Sequence, residues 1–288
     1  MAASLRWQRV FERHLLIVTG KGGTGRSALS AALAIKAARQ GQRVLAVAMT
    51  DVLGLALHLG VTQLHYEPQQ TRPGVWALAI DRTAALDEYI HLQLHLPRAA
   101  PLKPVARTFS ALADTVPGIR DAVTVGKISW ESWSDDWDLI VADGPPLGQI
   151  DSYLKAPASI AALVPSGRVQ EQATRMAELL ADPDESGLVV TTLAEELPVI
   201  ETNEHLAQID EERTCQLATL IVNGLLPSLD AEAPDDPGPL RDSAVLHHQL
   251  HQGQQRWLGE LPDGIQLPYL FGMLTPTEVA ARLADELP

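Results

Sequence analysis

The stretch Leu15-Leu16-Ile17-Val18-Thr19-Gly20-Lys21-Gly22-Gly23-Thr24-Gly25-Arg26-Ser27 decides how this chain is read. A short apolar run of strand character ends at Gly20, and an alanine-rich helical pattern starts at Ser27. Between them the residues keep the Gly-x4-Gly-[Lys]-[Ser/Thr] spacing of a phosphate-binding loop. Glycines let the backbone curl until successive N–H groups aim at phosphate oxygens. The helix that follows adds the positive end of its dipole. Gly20, Gly22, Gly23, Thr24 and Gly25 are therefore the expected cradle for a nucleotide's phosphates, and the Ser27 hydroxyl is the expected ligand of Mg²⁺. A merely structural glycine turn has no need of that spacing, a strand before it and a helix after it together.

Two basic residues of the loop carry separate messages. Arg26 stands where such loops have lysine. It keeps the charge, but its planar fork is bulkier than an ammonium. Arg26 is expected to contact the β/γ-phosphates of ATP, which leaves slow or absent hydrolysis open, because rate is most sensitive to charge placement there. Lys21 directly follows the first glycine, the mark of a deviant Walker A loop. In that class this lysine reaches across a dimer interface to the partner's nucleotide. The plainer reading makes Lys21 a solvated surface charge.

Outward from the loop, apolar runs at residues 15–19, 44–49, 139–142, 188–191 and 220–222 read as buried strands, with a weaker one at 75–80. Helical patterns at 27–39, stopping at Gly41, and at 169–180 lie between them. The alternation predicts an α/β fold of the P-loop NTPase type: a mainly parallel sheet of six to eight strands flanked by helices. Residues 81–136 lack strong strand runs and contain Pro97, Pro101, Pro104 and Pro117. They are expected to form a helical subdomain inserted into the single domain of residues 1–288. Residues 228–240 read as a surface loop.

Composition narrows the partners. The formal charge is −14 and no basic run occurs, which argues against nucleic acid and anionic membrane surfaces. Cys215 is the only cysteine, so no disulfide or cysteine-based metal site forms within one chain. Residues 1–13 do not read as a signal peptide, and no stretch approaches the roughly 18 apolar residues of a membrane span. The expectation is a cytoplasmic protein without stable membrane insertion.

Further motifs follow in order, and together with the loop they resemble the ArsA-type ATPases, which include the arsenite-pump ATPase and the factor that targets tail-anchored proteins. Thr50-Asp51 resembles the start of switch I, with Val52-Leu53-Gly54 where the family has Pro-Ala-His. Residues 117–121 resemble the family's Pro-Gly-Ile motif. Residues 138–148 resemble switch II, with Gln149 in place of a histidine. Residues 191–202, the strand end Ile221-Val222-Asn223 and the late loop Pro268-Tyr269-Leu270 complete the series. The resemblance implies that Asp51 orients the attacking water and Asp143 holds Mg²⁺ through water. It also implies that Asn223 reads adenine, that Pro268 lies beside the base and that Lys21 acts in trans. A homodimer or a heterodimer is implied, with a client that is a protein or an apolar ligand. With one cysteine, a soft metalloid cage is not expected. A pseudo-ATPase regulatory subunit paired with an active paralogue is the alternative.

Three clusters are ambiguous. Leu86, Ile90, Leu94 and Leu96 have helical spacing and read first as subdomain core. Trp130, Trp133 and Trp137 read first as a helical stripe closing onto the core, with a ligand surface as the alternative. His247, His248 and His251 share a helix face but lack a clear carboxylate partner for a metal.

Overall fold

The computed structural model describes residue 7 and residues 9–94, 118–229 and 238–288. Among them, one eight-stranded sheet runs in the order β3-β4-β2-β5-β1-β6-β7-β8. The strands are β1 (Leu15–Gly20), β2 (Val44–Ala48), β3 (Gln69–Arg72), β4 (Val75–Ala79), β5 (Leu139–Pro146), β6 (Ser186–Leu193), β7 (Leu217–Leu225) and β8 (Ile265–Pro268). Every neighbouring pair is parallel except β3 with β4. The six apolar runs fall on β1, β2, β4, β5, β6 and β7. The two strands without such a run, β3 and β8, are the four-residue edges, where one side needs no partner and a continuous apolar run is not required.

The helices are α1 (Arg26–Arg39), α2 (Val52–Leu59), α3 (Arg82–Leu94), α4 (Ile119–Ser132), α5 (Leu147–Leu163), α6 (Arg168–Ala181), α7 (Glu196–Glu212), α8 (Pro239–Leu258) and α9 (Pro276–Glu286). Alternate residues of each central strand face opposite layers. Leu16 and Val18 pack with α1, α2 and α9, whereas Leu15 and Ile17 pack with α4, α5, α6 and α7. Both faces are therefore covered, which is why these strands are apolar throughout. Cys215 sits in the second layer, and burial pushes its thiol up to about 11, so it serves packing.

The alanines of α1 have a packing reason. Ala28, Ala31, Ala32, Ala34 and Ala37 are all buried, because the helix touches the sheet, α2 and α9 at once. Small side chains let it sit close on several sides. Past Arg39 the chain turns at Gly41, which takes φ 94° and donates to the Ala38 carbonyl.

In α3, Leu86 and Ile90 form a small cluster of their own with Tyr89 and Val123. Helix α4 bridges that cluster and the sheet, since its Val125 and Ile128 belong to the second layer. Residues 95–117, with Leu96, Pro97, Pro101, Pro104 and Pro117, and residues 230–237 of the expected surface loop lie outside the described residues, as does the Leu94 side chain.

The tryptophan stripe differs from its expectation. Helix α4 ends at Ser132, so Trp137 lies beyond it and shares no helical face with Trp130. Trp133 and Trp137 pack against the second layer, but Trp130 is exposed. Trp137 instead leans on Trp76 of β4 and donates its Nε1–H to Glu131 at 3.0 Å.

The tight seat of α1 gives a stability test. Ala31→Leu, at a fully buried position, is expected to destabilise the protein by about 1–3 kcal/mol through overpacking. Urea unfolding monitored by circular dichroism measures it.

Candidate active site at the carboxyl edge of the sheet

The chain leaves β1 toward opposite sides of the sheet: β2, β4 and β5 lie on one side, and β6, β7 and β8 on the other. Ligand sites of open parallel sheets form at such a reversal, beyond the carboxyl ends of the strands. The candidate residues all stand there. Gly20 ends β1, Asp51 follows β2, Asp143 lies in β5, Thr191 in β6, Asn223 in β7 and Pro268 ends β8.

The loop is pinned by contacts that only its own residue types permit. A Cβ on Gly20 would stand 2.3 Å from the Thr191 carbonyl oxygen, so the end of β1 lies against its parallel neighbour β6 with no room for a side chain. The Thr24 hydroxyl meets the Thr191 hydroxyl at 2.8 Å and also lies 2.8 Å from the Lys21 carbonyl. Gly25 opens α1 at φ 92°, a conformation that favours glycine, with the Asn223 amide pressed against it. Asn223 Nδ2 donates to the Thr24 carbonyl at 3.1 Å and ties β7 to the loop.

Ser27 and Asp143 come together as expected. Ser27 Oγ donates to Asp143 Oδ2 at 2.6 Å. Ser30, one turn further along α1, donates to Asp143 Oδ1 at 3.1 Å. The sequence held a signal for Ser30, because i and i+3 share a helix face. Burial pushes the Asp143 carboxyl up to about 6, and the nearby Asp51 charge adds to this. The two serine hydrogen bonds and the Arg26 charge offset only part of the effect. A buried carboxylate short of positive charge, beside a hydroxyl, is an oxygen donor set suited to a hard divalent cation. No group of three His, Cys, Asp or Glu able to hold a metal occurs among the described residues. A cation at Ser27 and Asp143 would therefore complete its shell with nucleotide and water oxygens, as Mg²⁺ does.

Asp51 is the N-cap of α2, its Oδ1 accepting the Gly54 N–H at 2.9 Å. A Cβ on Gly54 would lie 2.6 Å from Asp51 Oδ2 and 2.8 Å from Ser27 Oγ. Asp51 thus faces the Ser27–Asp143 pair, and a larger residue at position 54 would crowd it. Of the departure at Val52-Leu53-Gly54, the glycine at position 54 has this packing reason. Arg26 Nη1 donates to the Gly144 carbonyl at 2.7 Å, joining the loop to the segment after Asp143. Lys21 Nζ lies 2.6 Å from Glu201 Oε1 of α7, in a half-exposed ion pair.

With this geometry, the comparison with known proteins is decisive. The profile of the anion-transporting ATPase family, ArsA_ATPase, matches residues 13–167, a segment running from β1 through both acidic positions. This chain belongs to that ArsA-type ATPase family. It is similar to the ATPase BagA of Mycobacterium tuberculosis, 32% identical over 96% of this chain and 82% of the relative. It is also similar to an arsenical pump-driving ATPase of Acidiphilium multivorum, 28% identical over 92% of this chain and 47% of the relative. An uncharacterised Streptomyces coelicolor protein is 35% identical over 50% of this chain and 37% of its own length.

As a member of the ArsA-type family, the chain is an ATP-binding P-loop protein. The β7–β8 end of this edge carries Asn223, Pro268, which pairs with Leu225, and the exposed Tyr269 and Phe271, whose rings stack edge to face at 4.9 Å. Helix α8 is fastened beside them: Gln254 bonds both Leu226 N and Gly224 O, and His251 meets the Leu226 carbonyl. That contact, and the pairing of His248 with Gln252, gives two of the three histidines structural partners. No helix among the described residues is long and apolar enough to cross a membrane.

The Asp143 environment predicts a pH signature. The folded carboxyl's pKa of about 6 stands above its ordinary 3.8, so holding the charge destabilises the metal-free fold. The penalty is absent below about pH 4, grows as pH rises through about 6 and then stays constant, reaching about 2–3 kcal/mol. Asp143→Asn should therefore gain stability relative to the parent across that window in metal-free buffer. Urea unfolding of both proteins along a pH series reads it.

Proposed function

We propose that this ArsA-type protein is a nucleotide-driven switch that binds Mg-ATP, hydrolyses it to ADP and phosphate, and acts as a dimer on a client in the cytoplasm. The observation that carries the reading is the convergence of Asp51, Ser27 and Asp143 on one side of the phosphate loop. In this scheme the N–H groups of Gly22, Gly23, Thr24 and Gly25 hold the phosphates. Ser27 and Asp143 hold Mg²⁺, which shields charge on the β/γ oxygens. Asp51 accepts a hydrogen bond from the attacking water and orients it in line. Asn223 reads the adenine edge, and Pro268 flanks the base.

Dimerisation finds support at the same edge of the sheet. Leu53, Leu197, Ile200, Phe271 and Met273, in the segments that follow β2, β6 and β8, are large, apolar and exposed. An apolar patch around a polar site marks a surface for a partner. Lys21 is held by Glu201 in a half-exposed pair, which typically contributes under about 1 kcal/mol. It can exchange that partner for the phosphates of a second subunit, whether an identical chain or a paralogue. The client end of the switch is the region of α3 to α6, because α5 starts directly after Pro146 of the switch segment.

A second reading, a nucleotide-binding regulatory subunit without turnover, is favoured by one contact. The Arg26 guanidinium spends one of its donors, at Nη1, on the Gly144 carbonyl. Arg26→Lys separates the two. A rise of at least about tenfold in phosphate release would show a working site restrained by Arg26. A rate at background in both proteins, with ATP still bound, establishes the regulatory reading.

Asp51→Asn tests the switch reading directly. Asparagine caps helices as well as aspartate does, so α2 should persist. Phosphate release should fall about 10²-fold, with ATP affinity nearly unchanged. An undiminished rate would remove Asp51 from the chemistry.

A further inference from the structure

The Ser27–Asp143 pair has a third member, Ser30, to which the ATP switch gives no task. Ser30 is 0% exposed and Asp143 1%. The Ser30 hydroxyl stands 3.1 Å from Asp143 Oδ1, while Ser27 donates to Oδ2 at 2.6 Å. The two oxygens of one buried carboxylate are thus divided between two serines one turn apart on α1.

We propose that Ser30 is a positioning residue for the metal site: it holds Oδ1, turns Oδ2 toward Ser27 and the cation, and thereby sets how strongly the protein takes up Mg²⁺ together with ATP. The inference rests on the Mg-ATP reading, in which Ser27 and Asp143 hold the ion.

The competing assignment of Ser30 is purely structural. Its hydroxyl has one proton and two acceptors within reach, Asp143 Oδ1 and the Arg26 carbonyl at 2.9 Å. A helical serine often returns its proton to the carbonyl four residues back, and such a bond has no bearing on a cation. Two differences favour the carboxylate. The Arg26 carbonyl is already the ladder acceptor for the Ser30 N–H. Asp143, once ionised, is a charged acceptor shut off from water, and a hydrogen bond to an ionised group is about twice as strong as a neutral one. The slightly shorter distance to Arg26 does not outweigh both.

The consequence for the ion follows from torsional freedom. The terminal torsion of an aspartate has broad wells, so an untethered carboxylate rocks and offers either oxygen. Mg²⁺ demands near-ideal octahedral placement of its ligands and of its water. Ser27 cannot supply the tether, because in the proposed site its own oxygen is a ligand. Ser30 can, since it meets Asp143 at the other oxygen and lies one turn beyond the loop. Hydrogen-bond partners of a metal-holding side chain typically govern affinity by about 10–100-fold.

The test titrates a fluorescent, non-hydrolysable ATP analogue onto the full chain, once in excess Mg²⁺ and once in EDTA. The ratio of the two affinities measures how far Mg²⁺ and nucleotide assist each other. Ser30→Ala should lower that ratio about tenfold and leave the affinity in EDTA unchanged. Alanine favours a helix at least as well as serine, so α1 should persist. Ser30→Cys keeps the approximate size but replaces the hydroxyl with a weak donor, and should lower the ratio in the same sense. It also covers a folding defect in the alanine variant.

A ratio within about threefold of the parent's in either variant overturns the proposal. A loss of affinity that is equal in Mg²⁺ and in EDTA assigns Ser30 to the fold of the loop and overturns it as well. In both cases a parent that binds the analogue more tightly with Mg²⁺ leaves the Mg-ATP reading in place. A parent whose affinity is the same in the two buffers removes Ser27 and Asp143 as the Mg²⁺ site, and the role of Ser30 with them.

Discussion

The buried carboxylate of Asp143 is the constraint around which the site is arranged. It lies in the centre of the sheet, where a charge without compensation is costly. Ser27 and Ser30 supply two hydroxyl donors from the first turns of α1, and Arg26 supplies a charge. These contacts fix the rotation of α1 against β5, and therefore the direction in which the loop's N–H groups point. They do not fully neutralise the group, whose affinity for protons is raised. The same shortfall that raises its pKa would be relieved by a hard cation, in keeping with the Mg²⁺ role proposed for it.

Around that carboxylate, single contacts link the loop to separate elements. Arg26 reaches the Gly144 carbonyl, just before α5. Lys21 reaches α7 through Glu201, and Asn223 reaches the Thr24 carbonyl from β7. Asp51 caps α2 and faces Ser27. In the proposed scheme a phosphate arriving in the loop would compete for Arg26 and Lys21, each of which donates to a protein oxygen. In the proposed switch, ligand contacts would replace internal ones, so that binding and shape change become one event.

Much of this was legible from residue order. The loop's glycines, Ser27 and the strand runs carry their meaning locally, because a turn with positive φ and a strand covered on both faces each demand particular residue types. Other features were not legible because they join distant segments. Thr191 packs against Gly20 and Thr24 from β6, and Glu201 pairs with Lys21 across most of the chain. The tryptophan spacing misled, since a helical count continues on paper past Ser132 while the helix itself stops. Edge strands β3 and β8 lacked the apolar runs that mark the centre of a sheet.

By itself the sequence determined the phosphate loop, the α/β alternation and the ArsA-type order of acidic and asparagine positions, because each is written in neighbouring residues. Only the tertiary structure decided that Arg26 rests on Gly144, that Lys21 is held by Glu201 and that Asp143 is short of compensating charge. It also decided that Ser30 meets one oxygen of that carboxylate. These features depend on distance and burial, which arise when segments far apart in the chain are brought together by the sheet.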